Sequence, residues 1–252
     1  MKTGIALLLL LLGGAVAAQQ EEPAAAAPVT RDPAALELLR KADAATKAVS
    51  GVHYSATATP SGVAVNFAAA AEGETWMEGW AGRFPARFLA RLKTRKPGSD
   101  EAVELTAGGN GDQYFLLDHA TKKAYVDIDP GVFGSAGRSI FGFTMIEFVH
   151  DAPFDDELGA EVVELLEEKE VAGEPCHQVR VVYGGGQGES VWLFAKRDLL
   201  PRARVQRFTI PGQGDGALER TISGLEVDPQ MDPTRFEFRL PEGYQRIDDF
   251  AP

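Results

Sequence analysis

The side chains best suited to nucleophilic or metal chemistry in this sequence are a single cysteine and four histidines. They are Cys176, His53, His119, His150 and His177. Cys176 and His177 are adjacent, but adjacent residues of a β-strand point to opposite faces of the sheet, so they are poorly placed as a thiol and its base. The histidines lack the close spacing of a helical metal motif, and the sequence has no Gly-x-Ser-x-Gly elbow. We therefore predict no catalytic residue, no metal site and no cofactor.

Two further clusters could bind a ligand, and each also has a simpler structural interpretation. The segment Gly184-Gly-Gly-Gln-Gly188 resembles a phosphate-binding loop only in its glycines, because the Lys and Ser/Thr of such a loop are missing. A hairpin turn is the better interpretation. Glu164, Glu168 and Glu170 lack the alternating ligand-and-glycine pattern of a calcium loop. We interpret them as the solvated face of a strand.

The amino terminus is organised like a secretory signal peptide. A lysine follows the first methionine, residues 5–12 form an apolar run, and residues 15–18 are small. The apolar run is shorter than the roughly 20 residues that span a bilayer, so we expect cleavage at or next to Ala18 and no transmembrane anchor. The predicted signal peptide is residues 1–18, and the mature protein is expected to be soluble in the periplasm.

The rest of the chain predicts one folded unit behind a linker. Residues 19–31 are low in complexity and contain no aromatic residue, which is typical of a flexible linker. Residues 32–252 are predicted to form a single β domain. With one cysteine, that domain cannot form an internal disulfide, so a hydrophobic core must stabilise its fold. A formal net charge of −12 argues against nucleic acid as a standing partner. We expect a monomer.

One helix and a series of strands are predicted to build this domain. Asp32 and Pro33 suit the N-cap and first turn of a helix that ends near Gly51 and has an alanine-rich apolar face. Short segments rich in Val, Phe, Tyr, Trp and Thr then alternate with turn residues, as in antiparallel strands. The predicted strands cover residues 52–59, 63–72, 75–80, 86–94, 102–106, 113–118, 123–128, 162–171, 177–183, 189–194, 202–210, 218–226 and 236–240. A sheet of this size must curve and be covered, because a flat apolar face would aggregate.

Alternation is lost between residues 131 and 153. Apolar residues from Ser139 to His150 follow a helical spacing, which predicts a helix or a partly helical lid. Gly134, Gly137 and Gly142 could allow this segment to open as a gate. A surface loop with a short helix is the alternative.

Several short motifs give the sequence a family resemblance. In the C-terminal third they are Val171-Ala-Gly-Glu-Pro-Cys-His177, Val191-Trp-Leu-Phe194, Leu200-Pro-Arg202 and Phe236-Glu-Phe-Arg-Leu-Pro-Glu-Gly-Tyr244, and upstream they are Asp32-Pro33, Leu38-Leu39-Lys41 and Gly111-Asp-Gln-Tyr114. Over nearly all of the mature chain, the sequence resembles a family of periplasmic proteins of unknown function related to the LolA/LolB lipoprotein carriers.

This resemblance implies a fold that is mainly β with a few helices: a curved antiparallel sheet, forming a half-open barrel, wrapped over helices around an apolar cavity. In the carriers the cavity accepts acyl chains. The same fold also serves in RseB-like envelope stress sensors, so it does not fix the cargo or the role.

Within that architecture, large apolar side chains near the lid and on the middle strands are the candidates for lining a ligand cavity. They are Trp76, Trp80, Phe88, Leu92, Tyr114, Leu116, Phe141, Met145 and Phe148. Each could equally be an ordinary core residue, since aromatic side chains are enriched inside any β domain.

Two functional hypotheses follow. The first is a periplasmic protein that binds an apolar ligand, as a carrier of a lipid or an acylated protein. The second is an envelope sensor or scaffold that binds a protein partner through a sheet edge or the lid. Neither requires an enzymatic activity.

Overall fold

The structure is a computed structural model that describes residues 30–82, 84–95 and 101–248. The predicted signal peptide and most of the predicted linker lie outside the described residues. The helices are α1 (Pro33–Lys47), α2 (Gly137–Phe143) and α3 (Asp155–Gly159). The strands are β1 (Gly51–Gly62), β2 (Ala71–Ala81), β3 (Phe84–Arg95), β4 (Ala102–Gly109), β5 (Tyr114–Asp118), β6 (Lys123–Asp127), β7 (Val162–Val171), β8 (Glu174–Val182), β9 (Glu189–Ala195), β10 (Pro201–Ile210), β11 (Gly214–Val227) and β12 (Gln245–Ile247).

The strands form one curved 12-stranded sheet in the order β12-β6-β5-β4-β3-β2-β1-β11-β10-β9-β8-β7. It consists of two antiparallel meanders, β1 to β6 and β7 to β11, which are joined by the antiparallel pairing of β1 with β11. β12 adds a short parallel strand beside β6. Because β12 and β7 lie at opposite ends of this order, the sheet formed by the described residues is not closed into a barrel. The predicted fold class is confirmed.

Helix α1 lies on one face of the sheet, which we call the inner face. The Asp32 side chain caps the helix by accepting a hydrogen bond from the backbone N–H of Ala34, at 2.8 Å. Ala35, Leu39 and Ala42 are fully buried in the main hydrophobic core together with inward-facing residues of β1. Small side chains let the helix approach the sheet closely, as the alanine-rich face predicts.

The connection between β6 and β7 crosses the whole inner face, because these strands belong to opposite ends of the sheet. We call residues 130–148 of this connection the cover. The cover contains a 3-10 segment at Pro130–Ala136, helix α2, and a 3-10 turn at Ile146–Phe148. The helical spacing predicted for Ser139 to His150 is therefore present, but it is divided into short helical pieces.

Two strand predictions were wrong. In the first, residues 63–66 form a 3-10 turn, and β2 begins only at Ala71. Gly62 has a φ of 58°, which ends β1 and turns the chain over the sheet. In the second, residues 233–236 form a 3-10 turn, and the next strand is β12.

The C-terminal segment, residues 231–247, covers the opposite face of the sheet, which we call the outer face. Its Phe236 is fully buried, and Phe238 and Tyr244 pack beside it. Beneath them lies a second hydrophobic cluster on the outer face of β2 to β6, formed by Trp76, Leu89, Phe115, Leu117, Ala124 and Val126. This half of the sheet is therefore covered on both faces.

Candidate functional site

The structure brings most of the predicted ligand-lining side chains together in the inner-face core, some on the sheet and some on the cover itself. The buried members of the inner-face core are Phe88, Leu92, Tyr114, Leu116, Met145 and Phe148, and the half-buried members packed against it are Trp80 and Phe141. Trp76 does not join them, because it lies in the outer-face cluster. Whether any of these residues contacts a ligand stays a prediction.

Phe133 of the cover is the centre of an aromatic group that fills this region. Its ring centroid lies 5.8 Å from Phe88, 6.1 Å from Tyr114 and 5.8 Å from Phe141. All three pairs have edge-to-face geometry, which aromatic rings prefer. In this conformation the cover's own side chains therefore occupy the space that was predicted for a ligand.

Polar contacts attach the cover to the sheet in two places. The Arg220 Nε donates a hydrogen bond to the backbone oxygen of Gly142, at 2.7 Å. The backbone N–H of Met145 donates to the Tyr54 hydroxyl, also at 2.7 Å. Burial raises the pKa of Tyr54 and lowers the pKa of Arg220. Both sheet residues belong to the inner face, since Ala56 and Ile222, the next residues on the same side of each strand, are core residues.

An ion pair holds the end of the cover. The Arg204 Nη1 of β10 lies 3.1 Å from Glu147 Oε1, and their side chains are only 18% and 12% exposed. The guanidinium also lies 4.6 Å from the centre of the Trp192 ring, a cation–π distance. An ion pair this sheltered is screened less by salt than one on the surface.

A small cleft opens beside this ion pair. It has a volume of about 310 Å³, and we call it the polar cleft. Its walls come from the end of the cover, from α3 and the loop before it, and from β10 and the turn after β8. The lining residues are Ile146, Glu147, His150, Ala152, Pro153, Asp156, Glu157, Tyr183, Gln187, Arg204 and Gln206.

Glu157 is the most buried carboxylate of the polar cleft, with 5% of its surface exposed. Its Oε1 accepts hydrogen bonds from the Tyr183 hydroxyl at 2.6 Å and from the Trp192 indole N–H at 3.1 Å. Burial raises the pKa of Glu157, although the hydrogen bond from Tyr183 and the charge of Arg204 oppose this shift. Burial and the neighbouring Glu157 charge raise the pKa of Tyr183 to about 12.

His150 forms the side of the cleft that faces Trp80. Its ring centroid lies 4.3 Å from that of Trp80. His150 Nδ1 accepts a hydrogen bond from the backbone N–H of Ala152, at 2.9 Å. The Nδ1 of His150 is thus engaged by the backbone of the loop before α3.

A larger trough of about 770 Å³ lies across strands β1 to β5 and includes the predicted residue Leu92. Its charged lining residues, among them Glu72, Glu74, Arg91 and Lys93, are exposed. Exposed charges are hydrated and screened, whereas the polar cleft combines sheltered charges with the edge of the apolar core. We therefore assign the candidate site to the cover and the polar cleft together.

The thiol and the imidazoles do not form a reactive group. Cys176 is fully buried, its Sγ lies 3.4 Å from the backbone oxygen of Glu174, and burial raises the pKa of the thiol. His177 is paired instead with Glu168, at 3.6 Å. Within residues 30–82, 84–95 and 101–248, no group of three His, Cys, Asp or Glu side chains could hold a metal ion.

Sequence reasoning missed the charged residues of the polar cleft and Phe133. One available signal was the register of the arginines. Arg204 pairs with both Trp192 and Arg220 across the sheet, so both arginines occupy inward positions. In β11 the inward neighbours of Arg220 are the apolar Leu218 and Ile222. A charged residue at an inward position requires a buried partner, which indicates a polar site.

Comparisons with known proteins support the fold. Neither a protein-family model nor a curated protein matches the sequence. Among solved structures, MucB aligns with a TM-score of 0.50 and 11% identity, covering 82% of this chain and 64% of MucB. An uncharacterized conserved protein of Thermus thermophilus aligns at 0.46 and 12% identity, covering 86% of this chain and 99% of that one. The lipoprotein LppX of Mycobacterium tuberculosis aligns with a TM-score of 0.47 and 13% identity, covering 79% of this chain and 98% of LppX.

The alignment with MucB shows that the two chains share a fold, and this chain spans less than two thirds of the MucB chain. The curved antiparallel sheet over helices that the resemblance to the LolA/LolB carriers implied is therefore confirmed at the level of the fold, and the apolar cavity that it also implied stays a prediction. In the part of the chain that the structure describes, no helix is both long and apolar enough to cross a bilayer.

Proposed function

We propose that this protein binds an apolar ligand, such as the acyl chain of a lipid or of an acylated protein, on the inner face of its sheet in place of the cover. The observation that carries this proposal is the construction of the cover. It is a series of short helical pieces that supplies Val132, Phe133, Ile140, Phe143, Met145 and Phe148 to the core. Moving it would uncover a mainly apolar surface that also carries Tyr54 and Arg220, the two residues that bind the backbone of the cover.

The free energy gained by burying the cover's side chains on the inner face is similar to the free energy gained by burying an acyl chain there. Burial of one large apolar side chain contributes about 1.5–3 kcal/mol, so the six side chains of the cover together contribute on the order of 10–15 kcal/mol. An acyl chain of about sixteen carbons contributes about 0.8 kcal/mol for each methylene buried, which is also on the order of 10 kcal/mol. Exchange of the cover for such a chain is therefore close to balanced.

The backbone of the cover is suited to movement. Gly134, within the first 3-10 segment, has a φ of 49° and a ψ of −132°, which breaks the segment into two turns. Helices this short are not stable by themselves in water, so their structure depends on packing against the sheet. We infer that the cover loses its helical structure when it leaves the inner face.

The amino-terminal sequence supports a place in the bacterial envelope. A signal peptide at residues 1–18 would export the protein, and the linker would leave the domain free in the periplasm. Acyl chains of lipids and lipoproteins are abundant ligands in that compartment, which agrees with the proposed ligand class.

The test is binding of a fluorescent fatty acid to the wild type and to two variants that loosen the cover. Arg220→Met removes the donor to Gly142, and Tyr54→Phe removes the acceptor from Met145. A hydrogen bond with a charged donor is worth about 1.5–3 kcal/mol, so we expect Arg220→Met to raise the affinity at least several-fold, and Tyr54→Phe to raise it less.

Arg207→Met is the matched control, because Arg207 is exposed and is paired with Glu189 of β9. Unchanged affinity in both cover variants would place the binding elsewhere. If neither the wild type nor the variants bind the probe, and native mass spectrometry of the protein from cell envelopes gives the bare polypeptide mass, the proposal is wrong.

The second hypothesis, a protein partner bound through a sheet edge or the lid, receives less support at the sheet edge. Strand β7 lies at one edge of the sheet. The part of this strand nearest its end carries four exposed charged residues, Glu167, Glu168, Lys169 and Glu170. Charged side chains on an edge strand oppose the addition of another strand. Crosslinking in whole cells would distinguish the hypotheses, because a scaffold should capture one protein partner whether or not lipid is present.

A further inference from the structure

Two arginines lie side by side on the inner face of the sheet. Arg204 of β10 is directly opposite Arg220 of β11 in the register of the two strands. Directly opposite residues of an antiparallel pair share a face of the sheet, so the two side chains are neighbours. Both are sheltered, because the side chain of Arg204 is 18% exposed and Arg220 is 8% exposed. Two sheltered positive charges repel each other, so they need a negative group close to both.

In this conformation the negative group is the Glu147 carboxylate of the cover. Its Oε1 lies 3.1 Å from Arg204 Nη1. Burial lowers the pKa of Arg220, the charge of Glu147 opposes this shift, and the charge of Arg204 adds to it. The same carboxylate therefore acts on both guanidinium groups. The structure thus shows a carboxylate held beside this pair of arginines, and the cover supplies it.

Glu147 leaves the sheet when the cover does. It lies in the 3-10 turn Ile146–Phe148, whose place in the inner-face core a ligand would take. Arg204 and Arg220 belong to strands and stay on the inner face. The hydrogen bond from Arg220 Nε to the backbone oxygen of Gly142 is lost at the same time, because Gly142 also belongs to the cover. A ligand that takes the place of the cover therefore has to replace an anion and a hydrogen-bond acceptor.

The carboxylates that remain in the polar cleft do not compensate both arginines. Glu157 Oε1 lies 3.9 Å from Arg204 Nη2, but it already accepts hydrogen bonds from Tyr183 and Trp192. Burial raises the pKa of Glu157, which favours its neutral form. Asp156, which also lines the cleft, is exposed, so its charge is screened by water and salt. Without the cover, this part of the inner face therefore carries an excess of positive charge.

The surroundings of the pair suit the head group of an amphiphile. On one side is the polar cleft, which has a volume of about 310 Å³ and is lined in part by Arg204. On the other side the inner face is apolar, since Ile222 of β11 and Ala56 of β1 lie opposite each other and are both core residues. A charged head group at the arginines can therefore keep contact with water while its hydrocarbon chain is buried.

We propose that Arg204 and Arg220 bind the anionic head group of an amphiphile whose hydrocarbon chain lies on the inner face. This inference rests on the proposed function and specifies the class of ligand. The head group, a carboxylate or a phosphate, takes the position that the Glu147 carboxylate occupies when the cover is in place. Arginine donates charge-assisted hydrogen bonds to both kinds of oxyanion. The Trp192 ring, whose centre lies 4.6 Å from the Arg204 guanidinium, holds this group on the sheet after the cover has moved.

The experiment compares three probes that share a twelve-carbon chain and differ only in the head group: dodecanoate, dodecyl phosphate and dodecanol. Each is titrated by calorimetry into the mature protein at pH 7, below its micelle-forming concentration. We expect at least one anionic probe to bind about tenfold more tightly than dodecanol, a difference of about 1.4 kcal/mol. The order of the two anions identifies which head group the arginines prefer.

Arg204→Met and Glu147→Gln break the same ion pair from opposite sides. Both loosen the cover, so both should raise the affinity for dodecanol. Only Arg204→Met removes a group that contacts the head group, so it should reduce the preference for the anion several-fold, whereas Glu147→Gln should keep that preference at least as large. Arg220→Met should likewise raise the affinity for dodecanol more than the affinity for the anion. Arg207→Met, at an exposed position, is the control for the loss of one positive charge.

The outcomes separate this inference from the proposed function. If none of the three probes binds, the proposed function is wrong, and the anion site with it. If dodecanol binds as tightly as both anions, or if Arg204→Met keeps the preference, the anion site is wrong and apolar binding remains. The same conclusion follows if Arg207→Met reduces the preference as much as Arg204→Met does. Thermal unfolding of each variant is measured in parallel, and Arg220→Met takes the place of Arg204→Met if the latter does not fold.

Discussion

Glu157 shows how one buried side chain links the candidate site to folding. Most carboxylates of this protein lie on the surface, but Glu157 is fixed beneath Tyr183 and Trp192 at the edge of the core. Burial raises its pKa in the folded state above the ordinary value of 4.5. A raised pKa means that the folded protein holds this proton more tightly than the unfolded chain does.

The pH dependence of stability follows from that difference. The favourable contribution of protonated Glu157 is complete below the unfolded pKa, and it is lost as the pH rises through the higher folded pKa. Glu157→Gln cannot lose a proton, so the stability of the variant relative to the wild type should increase between pH 4 and pH 7. Urea unfolding at a series of pH values measures this difference directly.

Glu168→Gln gives a control of opposite sign. The pKa of Glu168 is lowered, chiefly by its hydrogen bond with Lys196. The wild type therefore gains stability as the pH rises through the acidic range, and Glu168→Gln should become less stable relative to it. The same pH trend in both variants would contradict the role assigned to burial at Glu157.

Individual side chains also show where sequence reasoning is limited. Trp76 and Trp80 are four residues apart in β2, so strict alternation would place both on one face. Gly79 lies between them with a φ of 61°, and alternation holds only where the backbone stays extended. Trp76 consequently lies in the outer-face cluster, whereas Trp80 packs against the inner-face core. The sequence shows the glycine but not its conformation.

Among the elements, the C-terminal segment shows how a strand pattern can mislead. Phe236 and Phe238 alternate with polar residues as in a strand, but Pro233 and Pro241 bracket them. This strand-like pattern arises because both phenylalanine rings pack against the outer face of the sheet. The segment lies across the strands and does not pair with a neighbour until β12. Alternation of apolar and polar residues shows that one side of a segment is buried. It does not show that the segment is hydrogen-bonded to a neighbouring strand.

This segment should be a substantial source of stability. Phe236 is fully buried, with the Arg87 guanidinium 5.7 Å from its ring centre. Replacing a buried phenylalanine by alanine costs about 3–5 kcal/mol, so Phe236→Ala should lower the free energy of unfolding by that amount in urea. Leu240→Ala, where the side chain is 48% exposed, should change it by less than about 0.5 kcal/mol. Equal effects would show that the segment is not held on the sheet.

For the whole molecule, the sequence predicted the fold class but not the order of the strands. Most strand positions follow from local alternation and turn residues. The pairing of β1 with β11 joins segments that are far apart in the chain, such as Val52 with Val227, and no local pattern identifies such a partner. The same holds for the polar cleft, whose residues come from the cover, α3, the turn after β8, and β10.

The single cysteine provides a test of how cooperatively this sheet unfolds. Cys176 is fully buried in a cluster on β7 to β10, and burial raises the pKa of its thiol. If the sheet unfolds as one unit, a thiol reagent should label Cys176 at least about a thousandfold more slowly in the native protein than in urea.

The control is Ser61→Cys in a Cys176→Ser background, because Ser61 is exposed at the end of β1. That thiol should react rapidly with or without urea. Rapid labelling of Cys176 in native conditions would show that the β7 side of the sheet opens separately from the rest.

The path of the chain between β6 and β7 determines how the inner face can be uncovered. The cover is tied at both ends to strands from opposite sides of the sheet, so it cannot rotate about one hinge. It must shift sideways or lengthen between two anchor points, whose separation depends on how strongly the sheet is bent. A flatter sheet moves the two anchor points apart and stretches the connection. A more strongly curved sheet brings them closer together and leaves the connection loose. If the protein binds a ligand as proposed, access to the inner face is coupled to the curvature of the sheet, and agents that bend or flatten the sheet should change ligand binding without contacting the ligand.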